Sequence, residues 1–318
     1  MRIGTLEIKI DSERIDAISD HISSNPERLK RLLIGPEHTL PYNVEWGSYE
    51  HALFLAYTCV VDYSLQREAD YLWLSSRLFF QDNLELLHPT NSASLGLSEF
   101  RRLFKKYFKG IFRAPANIDI QVQRMFSMAS YLRKIPDCDP RKVYKVFARE
   151  KKDSNPNVFL RWLVDKKDDG LPGGEKVHRL WLRTMVEDQD LNFGKGMWPF
   201  TRQDLIVVPL PVDKNIISAG ISLGLVKRTG GYFHDFFTFL NEVFECAWVT
   251  VAKKAGLIPF EIDEPIWKIG RYCRRKKCLY NCIFEGVCSR DRDFMFGGEV
   301  SKPGKSWDVI IWPSVRSK

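Results

Sequence analysis

Apolar residues recur every three or four positions along most of this chain, which is the spacing of amphipathic helices. The clearest case is residues 97–112, where an apolar stripe lies opposite a basic face. We interpret this segment as a helix that packs on a core, in preference to one lying on a membrane. The stripe consists of Phe100, Leu103, Phe104, Tyr107, Phe108, Ile111 and Phe112, and the basic face of Arg101, Arg102, Lys105, Lys106 and Lys109.

The same spacing predicts helices along most of the remaining chain. A period of two predicts a strand over 2–10, and short strands are possible at 205–208 and 308–312. The pattern therefore predicts an all-α fold with minor β additions. The other predicted helices cover 12–23, 26–34, 64–82, 120–134, 140–151, 156–167, 175–187, 213–224, 232–255 and 263–272.

The length of 318 residues suggests two domains. With 44% hydrophobic and 28% charged residues, the composition is that of a globular protein. The most apolar stretch, 53–61, is far shorter than the ~20 residues of a membrane span. The N-terminus lacks the apolar core of a secretory signal. We therefore expect a cytoplasmic protein without a membrane partner, and nothing in the sequence suggests an oligomer.

The net charge is +8, which by itself only mildly favours a polyanionic partner. The basic residues occur in compact runs, and one run, Arg274, Arg275, Lys276 and Lys277, lies inside a cluster of cysteines. Each run alone is typical of a solvated helix face. Several runs together favour nucleic acid as the partner.

Four of the seven cysteines fall within sixteen residues, as C-x4-C-x3-C-x5-C. They are Cys273, Cys278, Cys282 and Cys288, and four thiolates suit either a [4Fe–4S] cluster or a structural zinc ion. The paired C-x2-C spacing common in zinc sites is absent. The other three cysteines, Cys59, Cys138 and Cys246, are interpreted as small core residues.

A glycine-rich turn joins the predicted helices at 156–167 and 175–187. Gly170, Gly173 and Gly174 permit positive φ angles and close backbone approach, so the turn could bind a DNA phosphate through its amides. A plain helix connector is the alternative. Asp213 lies at the start of a predicted helix, where it could act as a simple N-cap.

The order of these parts resembles the helix-hairpin-helix DNA glycosylase superfamily, in particular its endonuclease III-like, iron–sulfur members. Leu171-Pro-Gly-Gly-Glu-Lys176 resembles that family's hairpin Leu-Pro-Gly-x-Gly-x-Lys, and Pro211-Val212-Asp213 its Val-Asp-Thr-His motif. Leu182-Arg-Thr-Met-Val and Asp204-Leu-Ile-Val-Val-Pro-Leu210 are similar to a poorly characterised archaeal and bacterial branch. The hairpin is one residue shorter here, and Lys214-Asn215 replaces Thr-His.

The resemblance implies a two-lobed fold and base-excision DNA repair. One lobe would cover 50–190 and contain the hairpin; the other would comprise 1–49 and 191–318, with a cysteine cluster at 268–290. Lys176 would be the nucleophile that forms a Schiff base, and Asp213 its electrostatic partner. The cysteines would hold a [4Fe–4S] cluster, with a structural zinc ion as the alternative.

The expected substrate is double-stranded DNA with a damaged base or an abasic site, bound by the hairpin glycines and by residues 274–277. Trp198, flanked by glycine and proline, is the candidate for stacking on the extruded base. Two alternatives remain open. One is a non-catalytic DNA-binding iron–sulfur protein, and the other is an N-glycosidase that acts on RNA or a nucleoside.

Overall fold

The computed structural model describes residues 7–62, 69–112, 115–230, 236–274 and 278–288. These residues are mostly helical. In chain order the strands and α-helices are β1 (Glu7–Ile10), α1 (Ser12–Ser23), α2 (Pro26–Leu33), α3 (Tyr49–Val61), α4 (Ala69–Asp82), α5 (Pro89–Ser94), α6 (Leu97–Phe108), α7 (Pro115–Leu132), α8 (Val143–Lys151), α9 (Pro156–Asp165), α10 (Glu175–Val186), α11 (Arg202–Leu205), α12 (Lys214–Ser222), β2 (Val226–Gly230), α13 (Phe236–Lys254) and α14 (Pro259–Arg274).

The predicted all-α class is confirmed by this element order. The stretch 205–208 is not a strand, because Leu205 ends α11. The strand expected at 308–312 lies outside the described residues. The sequence analysis missed β2, which pairs antiparallel with β1 and places Ile10 opposite Val226. Its sequence, Val-Lys-Arg-Thr-Gly, contains one apolar residue and so shows no alternation.

The chain divides into two compact units. The terminal unit comprises residues up to 33 and from 206 onwards, and the central unit comprises 34–205. The lobe expected at 50–190 thus falls inside a larger unit. The added segments pack on α10: in 34–49, Glu37 pairs with Arg183, and in 191–205, Trp198 contacts Trp181.

The terminal unit is built on a core shared by α1, α12, α13 and α14. In this core α12 and α14 approach each other closely at Gly270. A Cβ atom at that position would lie 1.9 Å from the carbonyl oxygen of Asn215. Only a residue without a side chain allows the two helices to meet at this distance.

The central unit has an aromatic core. Phe79 contacts Phe100 and Phe104 edge-to-face, and the rings of Phe104 and Phe108 stack. The predicted apolar stripe of α6 therefore faces this core, and the structure confirms the core-helix interpretation of that segment. No helix among the described residues is long and apolar enough to cross a membrane.

Candidate functional site

The glycine-rich turn between α9 and α10 requires glycine at two of its three positions. Gly170 has a φ of +95° and Gly173 a φ of +111°, values that favour glycine. A Cβ atom at Gly173 would also lie 2.8 Å from Cγ1 of Val177. Gly174 has an extended backbone and open space around it, so neither conformation nor packing demands glycine there.

The start of α10 has the geometry from which helices bind phosphate. Gly174 is the N-cap and offers no side chain to cap the first turn. The preceding Leu171 is buried and anchors the turn in the core. Backbone amides at such a helix start can bind a DNA phosphate without reading the sequence.

Lys176 is the second residue of α10, and the structure places it at an exposed position. Burial therefore does not help to remove its proton, which attack on a sugar requires. His178, two residues further on, is fully buried, as expected of a structural residue. Burial lowers the pKa of His178 to about 4, so its ring is neutral at pH 7.

Asp213 is the N-cap of α12, and both carboxylate oxygens are engaged. Oδ1 accepts hydrogen bonds from the backbone N–H groups of Asn215 and Ile216, at 2.7 and 3.1 Å. Oδ2 accepts a hydrogen bond from the indole N–H of Trp267 at 3.1 Å. Two elements, α12 and α14, therefore fix the orientation of this carboxylate.

Trp267 and Gly270 were not identified from the sequence. Gly270 brings α14 against the first turn of α12, and Trp267, one turn earlier, is thereby placed to reach Asp213. The guanidinium of Arg271 lies 5.0 Å from the centre of the Trp267 ring. A glycine in the interior of a predicted helix was the available signal, since it is unfavourable there without a packing reason.

The four clustered cysteines lie in one region of the terminal unit. Cys273 is in the last turn of α14, and Cys278, Cys282 and Cys288 follow within 278–288. Burial, with added repulsion from the other three thiolates, raises the pKa of Cys273 to about 11. The Cys288 thiol donates a hydrogen bond to the Ser222 carbonyl at 3.3 Å.

These four sulfur atoms do not form a compact ligand group. Among the described residues, no three of these sulfur atoms lie within 4.8 Å of one another. The one group of ligand atoms that meets this distance contains no cysteine. The donor chemistry of four neighbouring thiols, which repel one another as thiolates, nevertheless fits a cationic iron–sulfur or zinc centre. Metal binding by these cysteines, and the choice between the two centres, both stay predictions.

The cysteine segment is anchored by side chains from α1 and α2. Arg14 donates to the carbonyl of Val287, and the His21 ring contacts the carbonyl of Ile283. Arg28 donates to the carbonyl of Cys282 at 3.1 Å. The three anchoring residues are spaced seven apart, yet their partners lie more than 250 residues away in sequence, and no local pattern linked them.

Some predictions about single residues are wrong, and others concern residues that the structure does not describe. Trp198 is not a base-stacking residue in this conformation, because it is 1% exposed and its indole N–H donates to the Pro140 carbonyl at 3.1 Å. Cys246 was expected in the core and is exposed, whereas Cys59 is buried as predicted. The structure does not describe residues 275–277 or the side chain of Arg274.

Neither a scan against protein-family models nor a search of curated proteins finds a match to this chain.

Proposed function

We propose that this chain is a DNA N-glycosylase with abasic-site lyase activity. The observation that carries the proposal is the hairpin between α9 and α10. Gly170 and Gly173 adopt backbone angles that favour glycine, and Lys176 is exposed at the start of the following helix. This arrangement combines a backbone phosphate site with an amine in the first turn of the helix.

The chemistry would proceed through the side chains of Lys176 and Asp213. The neutral amine of Lys176 attacks C1′ of the damaged nucleotide, and the C1′–N bond to the base breaks. The base leaves with the bonding electron pair and takes up the proton that the amine releases. Positive charge that develops on the sugar is stabilised by the Asp213 carboxylate. Opening of the sugar ring gives a Schiff base. β-Elimination then breaks the C3′–O bond and cleaves the strand on the 3′ side of this sugar.

The held orientation of Asp213 supports its proposed part. A carboxylate that is already fixed does not need to reorganise as charge develops, and this preorganisation is the main source of electrostatic catalysis. Its Oδ1 atom is held by two backbone amides and its Oδ2 atom by Trp267. The same contacts also serve the helix cap, so only kinetics separates the two roles.

We further propose that Cys273, Cys278, Cys282 and Cys288 hold a [4Fe–4S] cluster, with zinc as the alternative. When bound, such a centre would cross-link α14 to the segment 278–288, and these two elements flank a run of basic residues in the sequence. Those residues, Arg274 to Lys277, would then add a salt-dependent contribution to DNA affinity.

One observation favours a second function, that of a DNA-binding protein without lyase activity. Lys176 is exposed, and an exposed amine is protonated at neutral pH unless a neighbouring base takes the proton. On this alternative the hairpin and the cysteine region bind DNA and no covalent intermediate forms.

Borohydride trapping on a duplex with one abasic site tests the proposal. We expect a covalent adduct with the wild-type chain and none with Lys176→Ala. Lys167→Ala is the matched control, because Lys167 is an exposed lysine in the turn that precedes the same hairpin. If no protein gives an adduct while all bind the duplex tightly, the DNA-binding alternative is favoured.

A further inference from the structure

A group of three ionisable side chains in the central unit, two of them buried and one half-buried, takes no part in the proposed reaction. Glu37 and His38 lie in a short turn, Pro36–His38, and Glu187 follows the last residue of α10. Glu37 is 4% exposed and Glu187 2%. One carboxylate oxygen from each glutamate and one ring nitrogen of His38 all lie within 4.8 Å of one another.

The contact between His38 and Glu187 has the geometry of two ligands of one ion. Nε2 of His38 lies 3.3 Å from Oε1 of Glu187, yet neither atom has an aligned hydrogen bond to any residue that the structure describes. Two ligand atoms each about 2.1 Å from a metal, at angles of roughly 90–110°, lie about 3.0–3.4 Å apart. The observed separation falls within this interval.

The other ring nitrogen of His38 contacts the backbone of Gly35. Nδ1 accepts a hydrogen bond from the Gly35 N–H group at 2.9 Å and lies 3.1 Å from the Gly35 carbonyl oxygen. Metal binding at Nε2 would place the ring proton on Nδ1, which would then donate to the Gly35 carbonyl instead of accepting from the Gly35 N–H group. A hydrogen bond of this kind fixes the tautomer and the ring orientation in most histidine metal sites.

Gly35 also makes room for the carboxylate of Glu37. A Cβ atom at position 35 would lie 2.2 Å from one oxygen of Glu37 and 2.5 Å from the other. The Glu37 carboxylate therefore folds back over the glycine, toward His38, which follows it in the same turn. The ring of Trp46 stacks on His38 at a centroid distance of 5.6 Å and covers this side of the group.

The charge balance of this group is compatible with a bound cation. Glu37 pairs with Arg183, whose Nη2 atom lies 2.7 Å from Oε1 of Glu37, and both side chains are buried. The charge of Glu187, whose Oε1 atom faces His38, is then balanced either by a proton on His38 or by a bound cation. A buried charge without compensation is costly, and a bound cation removes that cost.

We propose that Glu37, His38 and Glu187 form a binding site for one divalent transition-metal ion. One imidazole and two carboxylates are the mixed nitrogen and oxygen donors that suit Mn²⁺, Fe²⁺ or Zn²⁺, and the histidine makes Ca²⁺ and Mg²⁺ poor fits. The site is distinct from the cysteine region and does not depend on the proposed glycosylase activity. Arg183 limits the surplus negative charge and so favours a single ion.

Binding of Mn²⁺ to the purified full-length chain tests this site, because Mn²⁺ has little affinity for the cysteine thiolates. Electron paramagnetic resonance follows the loss of the free Mn²⁺ signal during a titration. We expect saturable binding of one ion per chain, and a weakening of more than about 100-fold in His38→Gln, since even an outer partner of a ligand contributes 10–100-fold. Glu175→Gln, a change of an exposed glutamate on α10, should leave the affinity unchanged.

Two further measurements distinguish a loss of metal binding from misfolding of a variant. Circular dichroism compares the variants with the wild type, and the Tm of the wild-type chain should rise with Mn²⁺ concentration. If His38→Gln misfolds, Glu187→Gln serves as the second ligand variant. An absence of saturable binding and of any Tm shift in the wild type would overturn the proposal, and so would equal affinity in the wild type and both ligand variants. The group would then be an ion-pair network completed by a proton on His38.

Discussion

The close approach of α12 and α14 at Gly270 gives the sharpest test of the terminal unit. In Gly270→Ala, the new Cβ atom would lie 1.9 Å from the carbonyl oxygen, 2.5 Å from the carbonyl carbon and 3.0 Å from the Cα atom of Asn215. A carbon and a carbonyl oxygen normally approach to about 3.3 Å. The helices must therefore separate by roughly 1.4 Å, because backbone atoms cannot rotate away as a flexible side chain can.

The change in the free energy of unfolding caused by Gly270→Ala should be opposite in sign to the change that helix propensity alone predicts. In an unobstructed helix interior, glycine to alanine stabilises by about 1 kcal/mol. Overpacking in a well-packed core costs about 1–3 kcal/mol, and contact with backbone places this case near the upper value. The gain of about 1 kcal/mol from helix propensity offsets part of this cost, so we expect Gly270→Ala to destabilise the protein by about 2 kcal/mol.

Urea denaturation followed by circular dichroism measures this difference. Gly174→Ala is the control, since no atom lies within 4 Å of a Cβ at that position and the backbone is extended. Its unfolding free energy should stay within about 1 kcal/mol of wild type, because a weaker N-cap and a less flexible unfolded chain have opposite effects. Stabilisation by Gly270→Ala would refute the packing of α12 on α14 and the placement of Trp267 against Asp213.

Three other variants address the candidate site and its surroundings. Asp213→Asn should keep the helix cap, because asparagine caps as well as aspartate, while single-turnover base excision slows strongly; an unchanged rate would leave Asp213 as a cap only. Burial lowers the pKa of His178 to about 4, below the 6.5 of the unfolded chain. As the pH falls, the unfolded chain therefore takes up a proton before the folded one does. About 3 kcal/mol of stability, complete above pH 6.5, is lost as the pH falls toward 4. His178→Phe should flatten that acid dependence in denaturation curves, and identical slopes would show that the ring is not buried in neutral form. Gly173→Ala should weaken duplex binding in a fluorescence anisotropy titration, because φ is +111° and Val177 is close; affinity equal to that of the wild type would remove the turn from the DNA contact.

Local pattern determined most of the helices and the segments that join them. Helices α1 and α2 were predicted over 12–23 and 26–34 and are observed at Ser12–Ser23 and Pro26–Leu33. Helix α10 was predicted at 175–187 and ends at Val186. Apolar spacing, caps and proline act within a few residues, so the sequence carries this information directly. The glycine turn at 170–174 was visible for the same reason.

Tertiary structure alone decided which of these residues meet. Trp198 lies in a loop, as its glycine and proline neighbours predicted, yet its side chain packs on Phe159 and Trp181 in the core and not in a base pocket. Glu37 and His38 join Glu187 although about 150 residues separate them in sequence, and Arg28 reaches the carbonyl of Cys282 across a still longer separation. Hydrophobic spacing assigns a residue to a face of its own helix, but it does not say which other helix covers that face. The orientation of the Asp213 carboxylate depends on such a partner, because Trp267 is brought to it by the packing of α14 on α12 and not by any neighbour in the chain.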